Sequence, residues 1–519
     1  MLNAKTGMAY KSPLRKLARF FEQSRDQWKA KHHQLKAQIK YLKNRLRYLE
    51  KSQVDRQARV EDLETEVARL KAEAQGLREE LEAVKQERPS AALQIAQGFE
   101  VRPYHHGYGV GQIVLFLSLV LSAATSLRGA ARVIEVVSAL FHLEIACPSW
   151  WTGRWWLLRV GYYKLTRPKE QAEDWVWIVD FTVQVGVVKC LVILGLRLCD
   201  LPPAGQCVTH ELVEPLAVIP LEHSDGQVVY QHLTATRAQT GVPREIISDH
   251  GTDVKAGVEQ FCAQNPHTSP VYDIKHKTAA LLKHELEHDP AWLMFTQLAS
   301  RAQGQVRQTD LAALAPPSQK TQARYMNVDS LVDWGQAILS YLDKPPDPSE
   351  PRFDPASVQQ KLGWVTDFRD ALTNWGDLFQ VVTTAESWVR QNGLSPGASR
   401  KLKQHLRGLA HTDQTRRVQA DLVAFVAQQE SQAQPHERLL GSSEVIESVL
   451  GKMKRLERDQ AKSGFTGLIL SLGALVATTT QEVIQVALES VPTQKVLAWC
   501  QDVLGPSVQA KRRAALSPG

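Results

Sequence analysis

Two carboxylates stand where a phosphoryl-transfer site would need them. The run Trp175-Val176-Trp177-Ile178-Val179 is apolar, β-branched and aromatic, and it ends in Asp180. The run Glu245-Ile246-Ile247-Ser248 ends in Asp249 and is followed by His250-Gly251. Both read as β-strands. Strands that each end in Asp place two carboxylates at one sheet edge. A lone Asp after a strand is commonly a turn or a cap, so the weight rests on the pair. With a third acid, such a pair can hold two divalent ions about 3.5–4 Å apart for phosphodiester transfer. Hard oxygen donors suit Mg2+ or Mn2+ rather than zinc. Asp253, four residues after Asp249, reads as a cap or a solvent-facing group. His284 and His288 lack the companions of a zinc site.

The surrounding pattern must position those acids. Phe181–Val188 continues the first run, with Gly186 marking a turn. Cys190–Leu198 reads as a buried strand and Leu216–Leu221 as a third. A helix is expected over 226–239, and a turn at Thr240-Gly241-Val242-Pro243 leads into the second Asp-bearing run. Next come a helix over 252–264 and a short strand at 270–272. That strand closes on Asp273-Ile274-Lys275-His276. Residues 277–435 then read as helices: 278–288, 290–302, 329–342, 358–374, 378–392, 398–411 and 415–432. Proline-rich breaks sit at Pro316-Pro317 and between Pro345 and Pro355. A final helical stretch opens at Leu440-Gly441-Ser442-Ser443-Glu444-Val445-Ile446-Glu447-Ser448, where a serine would cap the helix. Lys452, Lys454, Arg455 and the Gly464-Phe465 pair follow.

In that order, the elements resemble the ribonuclease H-like fold of DDE transposases. Asp180 matches the first catalytic Asp and Asp249 the second. The Asp273-to-His276 quartet is similar to the acid-x-x-His signature of groups with a large helical insertion, such as Mutator-like and hAT-like enzymes. In those groups the third acid follows the insertion. The Glu447 segment resembles the family's last helix, so the resemblance implies Glu447 as the third acid. Glu444, one turn earlier on nearly the same face, is its rival, and Glu285 a second one. Asp273 and His276 are expected to support the site. The implied fold is an α/β ribonuclease H-like catalytic domain with an all-α insertion. The implied activity is DNA cleavage at the ends of a mobile element and strand transfer into target DNA, with two Mg2+ (or Mn2+) ions held by Asp180, Asp249 and Glu447. A catalytically dead or domesticated DNA-binding protein, and a ribonuclease H-like nuclease, are the alternatives.

Upstream, the apolar positions Leu35, Ile39, Leu42, Leu46 and Leu49 step by four and three. After Gln53 and Arg56 they resume at Val60, Leu63, Val67, Leu70, Ala74, Leu77, Leu81 and Val84. That heptad phase predicts a coiled coil of roughly 75 Å. A two-per-seven stripe is too narrow for a globular core, so pairing with a copy of itself, as a homodimer or higher, is expected. Residues 11–60 carry 15 Lys/Arg against 4 Asp/Glu, whereas residues 61–90 carry 5 against 9. The basic half reads as a phosphate-contacting surface, a solvated face, or a mate for the acidic half of an antiparallel partner.

Between the two regions, Pro103 and Gly107, Gly109 and Gly111 make a break. The apolar stretch Ile113–Ala124, the segment opening Ser126-Leu127-Arg128-Gly129-Ala130, and the Trp- and Arg-bearing segment from Trp150 resemble the helix-turn-helix ahead of the catalytic domain in many bacterial transposases. Arg128, Arg132, Arg154 and Arg159 are then expected to meet DNA, with Lys452, Lys454 and Arg455 beside the catalytic site. The alternative is an ordinary helical hairpin with core tryptophans.

The expected organisation is a coiled coil over 1–100, a helix-turn-helix region over 101–168 and the first part of the catalytic core over 169–276. The helical insertion would occupy 277–438, the last part of the core 439–504, and a flexible basic tail 505–519. The whole chain has 519 residues and a net charge of +7. Its six cysteines show no CxxC pair, which suits a reducing compartment. Met1 to Lys11 lacks the apolar core of a signal segment, and the apolar runs 113–124 and 466–480 are too short to span a membrane. A bacterial cytoplasmic, nucleoid-associated location and no membrane partner are expected.

Overall fold

The computed structural model describes residues 13–87, 101–141, 145–185, 188–319, 328–344, 353–458, 466–506 and 508–516. Gly186, the Gly464-Phe465 pair and most of the Pro345–Pro355 stretch lie outside the described residues. The chain divides into two units, Met1–Gln94 and Ile95–Gly519.

The first unit is one helix, α1 (Leu14–Glu87). It is 74 residues long, about 110 Å at 1.5 Å per residue. No proline interrupts it. Its heptad side chains are exposed, from Leu35 at 56% through Leu46 at 57% to Leu63 at 57%. A face so apolar and so uncovered gains nothing from this chain alone.

The second unit opens with three helices, α2 (Val110–Leu121), α3 (Leu127–Leu140) and α4 (Trp150–Thr166). Ser126 caps α3 through Gly129 N–H, and Ser149 caps α4 through Thr152 N–H. Strands β1 (Trp175–Val185), β2 (Val188–Arg197) and β3 (Glu214–Leu221) follow. Helix α5 (Gly226–Thr240), strand β4 (Glu245–Ser248), helix α6 (Thr252–Gln264) and strand β5 (Ser269–Tyr272) complete the sheet region. The five strands lie in the order β3-β2-β1-β4-β5. Strands β1, β2 and β3 pair antiparallel, while β4 and β5 run parallel to β1.

Both sheet faces are covered, which is why its strands are continuously apolar. Trp175, Trp177, Val179, Leu191 and Ile193 pack on α5 and α6 through Val229, Leu233, Val254, Val258 and Phe261. Val176, Ile178, Cys190, Val192 and Leu194 face the opposite core, which continues into the helices before the sheet and those after it up to Leu504. Asp180 has the parity of Val176 and Ile178, so it points to that second face.

After β5 come α7 (Ile274–Leu286), α8 (Pro290–Val306), α9 (Asp329–Leu342), α10 (Pro355–Leu362), α11 (Arg369–Asn392), α12 (Ala398–His405) and α13 (Asp413–Glu430). Two of the expected helices fuse in α11, which runs unbroken through Gly376. A mid-helix glycine costs about 1 kcal/mol relative to alanine. Here it lets the Gln336 amide lie where a Cβ would be, and buried Leu372, Trp375, Leu378 and Phe379 anchor both sides. Then α14 (Glu444–Arg458), α15 (Ser471–Leu475), α16 (Gln481–Ser490), α17 (Thr493–Leu504) and α18 (Val508–Leu516) close the unit. The expected flexible tail is therefore corrected. Gln509-Ala510-Lys511-Arg512-Arg513-Ala514-Ala515-Leu516 is made of strong helix formers and is helical.

Of the three helices of the expected helix-turn-helix region, α3 buries only Ala130 and Ile134, whereas α4 is largely enclosed. Helix α4 buries Trp156, Leu157, Leu158, Val160, Leu165 and both of its glycines. At Gly161 the backbone of Leu470 comes so close that a Cβ would lie 1.9 Å from its carbonyl oxygen. Gly473 faces Gly161 at the same crossing. Gly161→Ala is expected to lower stability by more than about 2 kcal/mol, because the obstacle is backbone rather than a movable side chain. A thermal melt checks it; an unchanged midpoint would mean that the crossing is looser than it looks.

Candidate active site

Register alone brings the first acids together. Val179 of β1 is aligned with Ser248 of β4, and Ser248 with Tyr272 of β5. One residue further along these parallel strands stand Asp180, Asp249 and Asp273, a row of three carboxylates at one edge of the sheet. Neighbouring strands lie about 4.8 Å apart, so adjacent members of the row feel each other. Burial, and next the Asp249 carboxylate, push Asp180 up to about 7. Glu447 adds to that repulsion from α14, and His276 opposes it from α7.

The three acids of the row do different things. Asp249 accepts the Gly251 N–H at 2.9 Å, closing a tight turn. His250 between them takes φ of 56°, a conformation that histidine tolerates better than most residues. Its ring stacks on Tyr272 with centroids 4.3 Å apart and planes 9° from parallel. Asp273 is 1% exposed and points back into the protein. One of its oxygens accepts His276 N–H at 3.0 Å and caps α7. The other accepts the Ser443 hydroxyl at 2.6 Å and the Ser443 N–H. Asp273 therefore joins the edge of the sheet to the start of α14. Ile274 N–H donates to Gly441 O beside it, at 3.1 Å.

That join delivers Glu447. Its carboxylate receives Lys275 Nζ at 2.8 Å and lies 3.5 Å from His276 Nε2. Burial by itself would raise the Glu447 carboxyl, but hydrogen bonds from His276 and Lys275 hold it below the ordinary glutamate range. Burial would conversely lower His276. The Glu447 hydrogen bond, with Asp273 and Asp249 nearby, lifts it above the ordinary histidine range. Asp180, Asp249, His276 and Glu447 thus form one electrostatic cluster.

The rival acids are engaged elsewhere. Glu444 pairs with Arg390 of α11 at 2.7 Å. Glu285 accepts from Gln414 at 3.0 Å and lies 3.4 Å from Arg417. Asp253 is bound by Ser224 and by Lys189 at 3.5 Å. Sequence reasoning missed Lys275, although it stands inside the quartet read for its Asp and His. A cation one residue before the histidine was the available signal. Ser443 and Arg390 were missed as partners because each joins segments far apart in the chain.

The expected DNA-facing cations divide. Arg128 is exposed and lies 5.2 Å over the Trp150 ring. Arg132 is exposed and pairs with Glu135 at 2.7 Å. Lys452 donates to His210 Nδ1 at 3.0 Å, Arg455 to Ala124 O, and Lys454 is exposed. Arg154 and Arg159 depart from expectation. Arg154 lies against Trp151 and Trp155, at 5.3 and 5.6 Å from the ring centroids. Arg159 donates to Val491 O at 2.5 Å and to Leu488 O, and so caps the end of α16. Both are half-buried, and burial lowers both guanidinium groups.

Among the described residues, no three His, Cys, Asp or Glu side chains are drawn closely enough together to hold a metal ion. No helix among them is long and apolar enough to cross a membrane. No family model matches the chain, and no curated protein matches it. Among solved structures it is similar to the Drosophila P element transposase strand transfer complex. The match covers 83% of this chain and 100% of that one, at 11% identity and a TM-score of 0.32. A superposition that loose does not establish a shared fold.

Proposed function

We propose that the chain is a DDE-type DNA transposase built on a ribonuclease H-like sheet, with Asp180, Asp249 and Glu447 as its acidic set. One observation carries the reading. Asp180 and Asp249 stand side by side at one sheet edge, and burial, then Asp249 and last Glu447, push Asp180 up to about 7. A carboxyl pushed up in this way by burial and a neighbouring acid is a mark of functional sites. The strand order, with β2 antiparallel and β4 and β5 parallel to β1, supports the fold.

The donor chemistry fits divalent cations. Asp180 and Asp249 offer hard oxygens, and Glu447 would complete the set only on giving up Lys275 or His276. Bound there, two Mg2+ or Mn2+ ions would supply Lewis acidity to the attacking and leaving oxygens of a phosphodiester. The chain's own groups orient the rest. Lys275 and His276 hold Glu447 and bring positive charge to the edge where a phosphate would lie. Lys454 is seven residues beyond Glu447 on α14, hence on the same helical face, and would engage the DNA backbone with Lys452 and Arg455.

A second reading, a DNA-binding protein that does not cut, is favoured by the ion pairs that occupy Glu447. A cleavage assay in Mg2+ or Mn2+, on DNA carrying the sequence that flanks the gene, separates the two. Asp249→Asn and Glu447→Gln are expected to abolish nicking, whereas Glu444→Gln and Glu285→Gln retain it. Loss in Glu444→Gln with retention in Glu447→Gln would reverse the choice of third acid. Binding without cleavage by the wild type would favour the second reading.

A further inference from the structure

We infer that the exposed seam of α1 is covered by a second copy of this chain, as a parallel, two-stranded, in-register coiled coil. The inference stands apart from the proposed catalysis. The heptad phase puts Ile39, Leu46, Val60 and Val67 at a positions and Leu35, Leu42, Leu49, Leu63 and Leu70 at d positions. β-branched residues at a with leucine at d favour two parallel strands over higher states. All nine are exposed in the single chain, between 48% and 60%.

Flanking charge sets the orientation. In a parallel pair, each g residue meets the e residue five positions on in the other strand. Read from the sequence, those pairs are Arg45 with Glu50, Arg59 with Glu64, Glu66 with Lys71, Glu73 with Arg78, and Glu80 with Lys85. All five are attractive. Lys31 with Lys36 is the repulsive one. The overall basic-to-acidic gradient of the helix suggests an antiparallel mate, but the e and g positions do not follow that gradient.

The seam agrees. In the parallel pair every apolar layer meets its own copy, and Gln53 meets Gln53. A polar a residue of this kind fixes register at a cost in stability. Arg56 also meets its copy, and its long stem lets the charge reach water. An antiparallel copy overlapping the full helix would instead set Arg56 against Leu46 and Gln53 against Leu49, opposing charge or amide to leucine in each of those layers.

The test uses the full chain. Light scattering is expected to give twice the monomer mass of 58.1 kDa. Leu35→Cys is expected to form a disulfide with itself under mild oxidation, located by peptide mapping against the wild type, whose Cys147 and Cys199 are exposed. Like residues far from the helix centre meet only in the parallel arrangement. Glu66→Lys alone is expected to weaken association about tenfold, since it makes two pairs per dimer repulsive. Glu66→Lys with Lys71→Glu restores it. A monomer, or a trimer or tetramer mass, overturns the inference. So does a Leu35→Cys variant that links only to a Val67→Cys variant when the two are mixed. A dimer that survives Leu42→Asp with Leu63→Asp also overturns it, since pairing would then lie outside α1.

Discussion

Asp180→Asn is expected to abolish metal-dependent DNA cleavage and, in a chelator at pH 8, to raise the melting temperature. The two effects have one cause. A carboxylate that holds a catalytic cation contributes several kcal/mol to the barrier, and about 4 kcal/mol is a thousandfold in rate. Without a cation the same carboxylate is a burden, since burial and Asp249 push it from 3.8 up to about 7. The stability that a neutral Asp180 contributes is fully present below about pH 4 and is lost as pH rises through 7. A move of that size corresponds to at most about 4 kcal/mol, and solvent reaching the half-buried group lowers it. Asparagine cannot ionise, so the variant lacks that slope. Melts of both proteins from pH 5 to 8 in EDTA check the prediction, because other titrations cancel in the comparison. A variant that melts lower than wild type at pH 8 would mean that Asp180 is structurally satisfied, and would count against the active-site reading.

Asp273→Ala is expected to cost about 3–5 kcal/mol and to silence cleavage in whatever fraction remains folded. Three donors lose their acceptor at once: His276 N–H, Ser443 N–H and the Ser443 hydroxyl. Each buried donor left unpaired costs about 1–3 kcal/mol, with some relief from relaxation. The functional effect is indirect. Asp273 holds the start of α14, and α14 carries Glu447, so Glu447, the proposed third acid, would drift from Asp180. Denaturant unfolding measures the first part. For the second, Asp273→Asn is informative: it keeps an acceptor for one partner and should lose less stability than Asp273→Ala. Full stability in Asp273→Ala would mean that Ile274 and Gly441 suffice to hold the two segments together.

The strands were legible because their chemistry is local. β1, β2, β4 and β5 each announce themselves by apolar runs closed by Asp, Gly or Pro, and the observed strands fall on them within a few residues. The Asp180–Asp249 pair followed from the same signal. Helices were read over 358–374 and 378–392, whereas α11 runs unbroken across the gap, with Trp375 and Leu378 buried on either side of Gly376. Arg154 and Arg159 were read as DNA-facing because charge on a helix suggests a surface. Which flank of α4 is buried is decided by α15 to α17, more than 300 residues later. The partners of Asp273 were likewise invisible, since no local pattern says that a carboxylate will meet a serine 170 positions away.

The Asp273–Ser443 join also sets an order of events in synthesis. Its two ends are 170 residues apart, and closing so long a segment is among the slowest steps of folding. While the ribosome is still making the helices between them, both strand-borne aspartates are already in place and Glu447 does not yet exist. A chain stalled or clipped in that interval holds no complete acidic set. Helix α1 precedes the second unit in the chain and so leaves the ribosome before it. On the proposed reading, neighbouring nascent chains on one messenger would pair through α1 before either holds Glu447.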